Sequence, residues 1–151
     1  GAFGEGAFEW SEPIDLCFSE DGSLVFVVDH LGGTITVHRR DGSPVREVVA
    51  DFVRPLGIAG GRDGSVYVTD AATHQLVKLS EAGEVEWSAG RLGIDHSEFW
   101  KPGHVVQDER DRLILVDYGN HRAQIFSPEG EWLVTFGTGR AFTNTDGRRS
   151  R

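Results

Sequence analysis

Two residues after each of three prolines, Pro13, Pro55 and Pro102, stand Asp15, Gly57 and His104. A carboxylate and an imidazole at matched positions are the residue types that hold zinc or calcium when further ligands join them. On their own they serve as solvated polar side chains. The other groups with chemical potential gather near three aspartates, Asp29, Asp70 and Asp117. His30, His74 and His121 follow these aspartates closely, Tyr118 and Arg122 flank the last, and Asp95, His96 and Trp100 lead up to Pro102. If the three stretches are equivalent, these residues share one loop-rich end of the molecule, the usual seat of binding. His38 falls on a strand instead.

No standard catalytic signature accompanies them. The chain has no nucleophile elbow, phosphate loop, paired-cysteine spacing or zincin helix. Cys17 aligns with Ala59 and Val106, which reads as a small buried residue. Ser, His and Asp are present, but no spacing selects three of them as a triad. The three aspartates tempt as catalytic carboxylates, yet a group repeated in every copy reads better as structure. At a strand end, Asp can accept the backbone N–H groups of the next turn.

The equivalence rests on an internal repeat. Asp29, Asp70 and Asp117 are spaced by about the same intervals as Pro13, Pro55 and Pro102 and as the turn glycines Gly42, Gly83 and Gly130. Within each copy, β-rich runs alternate with turn pairs: Asp21-Gly22 and Asp41-Gly42, then Asp63-Gly64 and Ala82-Gly83, then Glu109 to Arg112 and Glu129-Gly130. No stretch keeps a helical period. Four strands in a repeat of roughly 40–45 residues is the size of a β-propeller blade. The reading is an all-β fold of three four-stranded antiparallel blades, half or a fragment of a six-bladed ring. Trp10, Phe52 and Phe99, each three residues before its proline, are expected to pack between blades.

The third copy carries a more specific pattern. Asp117, Asn120-His121-Arg122, the Ile125-Phe126 strand, the Gly130 turn and the closing Phe136-Gly137 together resemble the NHL repeat. The second copy has Thr73 and Gln75 where that family tends to carry Asn and Arg, and the first has Gly32 and Thr34. The resemblance covers residues 1–137, with blades at about 6–50, 51–90 and 91–137; 138–151 would start a further repeat or form a polar tail. It implies a propeller, six-bladed in the family's usual form, with each first strand lining a central channel. Asp15 and His104 would then face the channel, an echo of NHL-type amidating lyases, which set histidines around a metal. Phe3 to Phe8 resembles Phe136 to Phe142, which favours a piece of a longer propeller over two copies closing a ring.

Composition narrows the partners. The chain has 151 residues and a formal charge of −9. Its one basic cluster, Arg148, Arg149 and Arg151, lies at the extreme end, which argues against phosphate-backbone binding. No apolar run is long enough for a membrane helix, and a single cysteine carries no compartment signal. The expected function is a non-catalytic scaffold gripping a protein or peptide through His30, His74, His96, Trp100, Tyr118, His121 and Arg122. The alternative is a metal-dependent lyase or hydrolase at the channel mouth, with zinc or calcium on His104 and Asp15.

Overall fold

A computed structural model describes residues 8–137. The chain forms twelve strands in three sheets, each a meander of sequential antiparallel neighbours. The first sheet comprises β1 (Pro13–Phe18), β2 (Leu24–Asp29), β3 (Thr34–Arg39) and β4 (Pro44–Glu47). The second holds β5 (Pro55–Gly60), β6 (Val66–Asp70), β7 (Gln75–Leu79) and β8 (Val85–Ala89). The third holds β9 (Pro102–Gln107), β10 (Leu113–Asp117), β11 (Arg122–Phe126) and β12 (Trp132–Phe136). A single turn of 3₁₀ helix, Tyr118–Asn120, links β10 to β11. The expected all-β architecture of three four-stranded antiparallel blades is what the chain adopts.

The hairpin turns follow from local chemistry. In Asp21-Gly22-Ser23, Asp41-Gly42-Ser43 and Asp63-Gly64-Ser65, the Asp carboxylate accepts the Ser N–H and hydroxyl. Each Gly there takes positive φ, a conformation that side chains resist. The closure is therefore written into three residues.

The first strands of the blades lie side by side, with β5 packed between β1 and β9. Each carries a register slip at its start, between Pro13 and Asp15, between Pro55 and Gly57, and opposite Leu115 and Asp117. Such bulges re-aim a side chain, and here they sit beside Asp15, Gly57 and His104. Gly57 is required by space: a Cβ there would lie 2.5 Å from the Gly103 carbonyl oxygen.

Hydrophobic alternation fills the two seams. Phe26, Val28, Ile35 and Val37 of the first blade meet Ile58, Val66, Val68 and Leu79 of the second. Tyr67 and Leu76 of the second blade meet Phe99, Leu113, Leu115 and Phe126 of the third. Phe52 packs against the first seam and Phe99 is fully buried in the second, as expected. Trp10 differs: it is 42% exposed, because it stands on the face of the first sheet that no described blade covers. There its indole N–H donates to Thr36 and its ring meets His38 edge-on. Leu16 and Phe18 on the first blade, and Val106, Val116 and Phe136 on the third, are also exposed.

Candidate functional site

Each of the three repeated aspartates ends its second strand, buried, and works as a latch. Asp29 accepts the backbone N–H groups of Ser11, Glu12 and Gly32 at 2.7–3.0 Å. Asp70 does the same for Val53, Arg54, Ala72 and Thr73. One carboxylate thus ties the residues just before each proline to the turn after β2 or β6. Burial pushes the Asp29 carboxyl up, but its donors Ser11, Gly32 and Glu12 outweigh this and hold it below the usual carboxylate range. The structural role read from recurrence is what the geometry shows, and it extends to the loop upstream of the proline.

The third blade elaborates the latch. Asp117 accepts from the Trp100 N–H at 2.8 Å, Asn120 Nδ2 at 2.9 Å, Arg122 Nε at 2.8 Å and Gln124 Nε2 at 3.2 Å. Those side chains reach on into the longer loop ahead of Pro102. Asn120 donates to the Gly93 carbonyl; Arg122 donates to those of Ile94, Asp95 and Glu98; Gln124 donates to that of Glu98. Residues 90–101 form this loop, against 48–54 ahead of Pro55. The Asn120-His121-Arg122 pattern is thus complete in the blade whose long leading loop needs anchoring.

The expected rim residues do gather at this end of the blades, and most are engaged within the protein. His30 Nδ1 lies 3.0 Å from the Pro55 carbonyl oxygen, and His74 Nδ1 accepts the Lys101 N–H at 3.0 Å. Each imidazole therefore joins one blade to the start of the next. His96 stacks on Trp132 with ring centroids 3.8 Å apart. Arg122 points inward, its side chain only 10% exposed. Trp100 is half-buried beside Gly119, whose N–H donates to the Trp100 carbonyl. His121 is exposed, and so is Tyr118, at 68%.

His74 and His121 share a further property. Both take positive φ, 57° and 53°, and the aligned residue of the first blade is Gly33, at φ 67°. The position is one that glycine accepts freely and other residues accept at a cost. Around the rim stand exposed apolar side chains that sequence reading passed over: Leu31, Val53, Leu92 and Ile94. Their turn context marked them as loop residues, with no periodicity to single them out.

On the first strands of the outer two blades, Asp15 and His104 do meet. Asp15 Oδ2 lies 3.4 Å from His104 Nδ1 and accepts the Ile58 N–H at 3.0 Å. The side-chain gap at Gly57 lets the first blade reach the third across the second. Two ligands are fewer than a zinc site uses, and no group of three or more His, Cys, Asp or Glu side chains converges among the described residues. Cys17 sits nearby, half-buried against the first seam. Burial, with the Asp15 charge adding to it, pushes its thiol up to about 12, so it stays protonated and non-nucleophilic at neutral pH.

Comparison with known proteins agrees with this architecture. The hydrazine synthase of Kuenenia stuttgartiensis superposes with a TM-score of 0.71 at 18% identity, over 89% of this chain and 38% of that one. A chain from a nidogen/laminin complex gives 0.66 at 19%, over 84% and 49%. The fold is that of β-propeller blades. In sequence, human NHL repeat-containing protein 3 is 34% identical over 86 residues, 54% of this chain and 25% of that protein. The peptidyl-glycine alpha-amidating monooxygenase A of Xenopus laevis is 35% identical over 92 residues, 57% of this chain and 10% of its own length. The chain therefore spans a quarter or less of these relatives. No family model matches it. Over about half its length the chain is thus similar in sequence to NHL repeat-containing proteins, and its three sheets have the fold of propeller blades.

Proposed function

We propose that this chain is a binding scaffold whose loop-rich rim takes a protein or peptide partner. The observation that carries the reading is the character of the rim. Most of its polar side chains are engaged in fixing the loops, while Tyr118, Leu31, Val53, Leu92 and Ile94 stand exposed. A rigid frame presenting aromatic and aliphatic side chains suits protein recognition, since little entropy is lost on docking. The propeller in the nidogen/laminin complex is a precedent for the fold in such an assembly. The test is selection of binding peptides from a random library against the full chain. Peptides that lose binding to a Tyr118→Ala, Leu92→Ser variant of unchanged thermal stability support the reading. Selected peptides that bind this variant as well as the parent chain overturn it.

A second reading is favoured by the Asp15–His104 contact and by the amidating relatives: a metal-dependent lyase or hydrolase at the channel mouth. The two residues would need further ligands from a second copy of the chain or from other blades of a ring. Zinc binding by the chain that disappears in His104→Ala, at a two-chain mass in light scattering, supports this reading. A folded protein that takes up no zinc at any mass counts against it.

A further inference from the structure

The register of the repeat identifies two sheet faces that no described blade covers. In the first seam, Phe26, Val28, Ile35 and Val37 of one blade meet Ile58, Val66 and Val68 of the next. In the third blade the residues equivalent to the first group are Ile114, Val116, Ala123 and Ile125. Cross-strand pairing sets them in two apolar rows, Val106–Ile114–Ile125–Val134 and Val116–Ala123–Phe136. Val106, Val116, Val134 and Phe136 stand 43–56% exposed.

The counterpart face lies on the first blade. Leu16, Val25 and Val27 are equivalent to Ile58, Val66 and Val68, and Thr36 and His38 complete the rows. The polar members are already paired. Thr36 accepts the Trp10 indole N–H and lies 2.9 Å from His38 Nε2, and His38 Nδ1 lies 3.4 Å from the Gly42 carbonyl oxygen. Covering this face therefore leaves none of these groups without a partner.

The rim end adds charge complementarity. The residue before a proline reaches the turn of the preceding blade: Arg54 donates to the Leu31 carbonyl at 3.2 Å, and the Lys101 N–H to His74 at 3.0 Å. The equivalent residue ahead of the first blade is Glu12, and the turn at the third blade's open face carries His121, in register with His74. Both are exposed, and a carboxylate opposite an imidazole is an attractive pair.

We infer that the two faces form an interface between copies of this chain. The third blade of one copy packs on the first blade of the other, and the reciprocal contact closes the ring. Such a contact joins two different faces, and it ends in a ring where the rotation closes. The seams inside the chain set the geometry that it continues. Because the chain spans 49% of the one in the nidogen/laminin complex, two copies come to roughly one such propeller. Apolar faces like a core cut in half are typical of permanent dimers.

The experiment is sedimentation equilibrium of the full chain, up to roughly a hundred times a micromolar Kd. The expected result is a two-chain mass that grows no further with concentration. Val116→Asp, on the open face and outside both seams, should give a one-chain mass with an unchanged circular dichroism spectrum. Glu12→Lys should weaken the dimer about tenfold, since the dimer holds the Glu12–His121 pair twice. Adding His121→Glu to Glu12→Lys should restore it. A one-chain mass for the parent chain would overturn the inference and leave both faces to blades outside this chain. Open-ended growth would overturn the ring. A two-chain mass that survives both Val116→Asp and Glu12→Lys would place the contact elsewhere and overturn it too.

Discussion

Replacing Asp117 with alanine deletes the acceptor shared by Trp100, Asn120, Arg122 and Gln124. The carboxylate is fully buried and the Arg122 side chain nearly so. Removing one partner of a buried ion pair costs about 3–5 kcal/mol, because the other charge is left uncompensated. Each orphaned amide donor adds about 1–3 kcal/mol where water stays out. Release of the 90–101 loop would admit water and relieve part of that, so the total should stay near 3–5 kcal/mol. A domain holds about 5–15 kcal/mol in all. At roughly 2–4 °C per kcal/mol for a chain of this size, the melting temperature should fall by about 10–15 °C. Urea unfolding followed by tryptophan fluorescence reads the loss. The Asp117→Ala, Arg122→Ala cycle should show coupling of at least about 1 kcal/mol. A loss under about 1 kcal/mol, or strictly additive single losses, would refute the latch as described.

Other expectations follow from the same geometry. His121→Gly should match or exceed wild-type stability, since relief of left-handed strain offsets the glycine's greater unfolded-state entropy; His121→Val should lose about 1–2 kcal/mol. Gly57→Ala should cost about 1–3 kcal/mol, because the new methyl meets the Gly103 carbonyl and His104 backbone, and denaturant midpoints would record it. Stability should fall as pH drops below the unfolded carboxylate value of ~3.9. The folded-state values of Asp29 and Asp63 are depressed, that of Asp63 to about 2, so their stabilisation is present above ~3.9 and is lost as pH falls through the folded values. Acid titration by circular dichroism should show a shallower decline in Asp29→Asn, and an unchanged profile would refute the assignment.

Much of this architecture was legible in the residues. Aspartate, proline and glycine recur in one register because each does the same backbone task in each blade, so spacing alone exposed the fold and the structural role of Asp29, Asp70 and Asp117. Asp15 and His104 could be brought together from their matched offsets. What the bulge and Gly57 add is the contact itself. Less could be read at the rim. An arginine in a turn reads as solvated, and only the longer 90–101 loop, folding back over β11, turns Arg122 inward. His74 and His121 looked like repeated surface histidines, yet they occupy a left-handed position that the first blade gives to Gly33.

The latch has a consequence for how such a molecule can change. Because each aspartate fixes the residues immediately ahead of its proline, chain inserted further upstream does not disturb the strands that follow. The third blade has already accepted a longer segment there and clamped it with Asn120, Arg122 and Gln124. Scaffold and display surface are thereby decoupled. A designer could graft foreign segments between Gly90 and Phe99, keep Asp117 and its three side-chain partners, and alter what the protein touches without reworking the sheets that hold it.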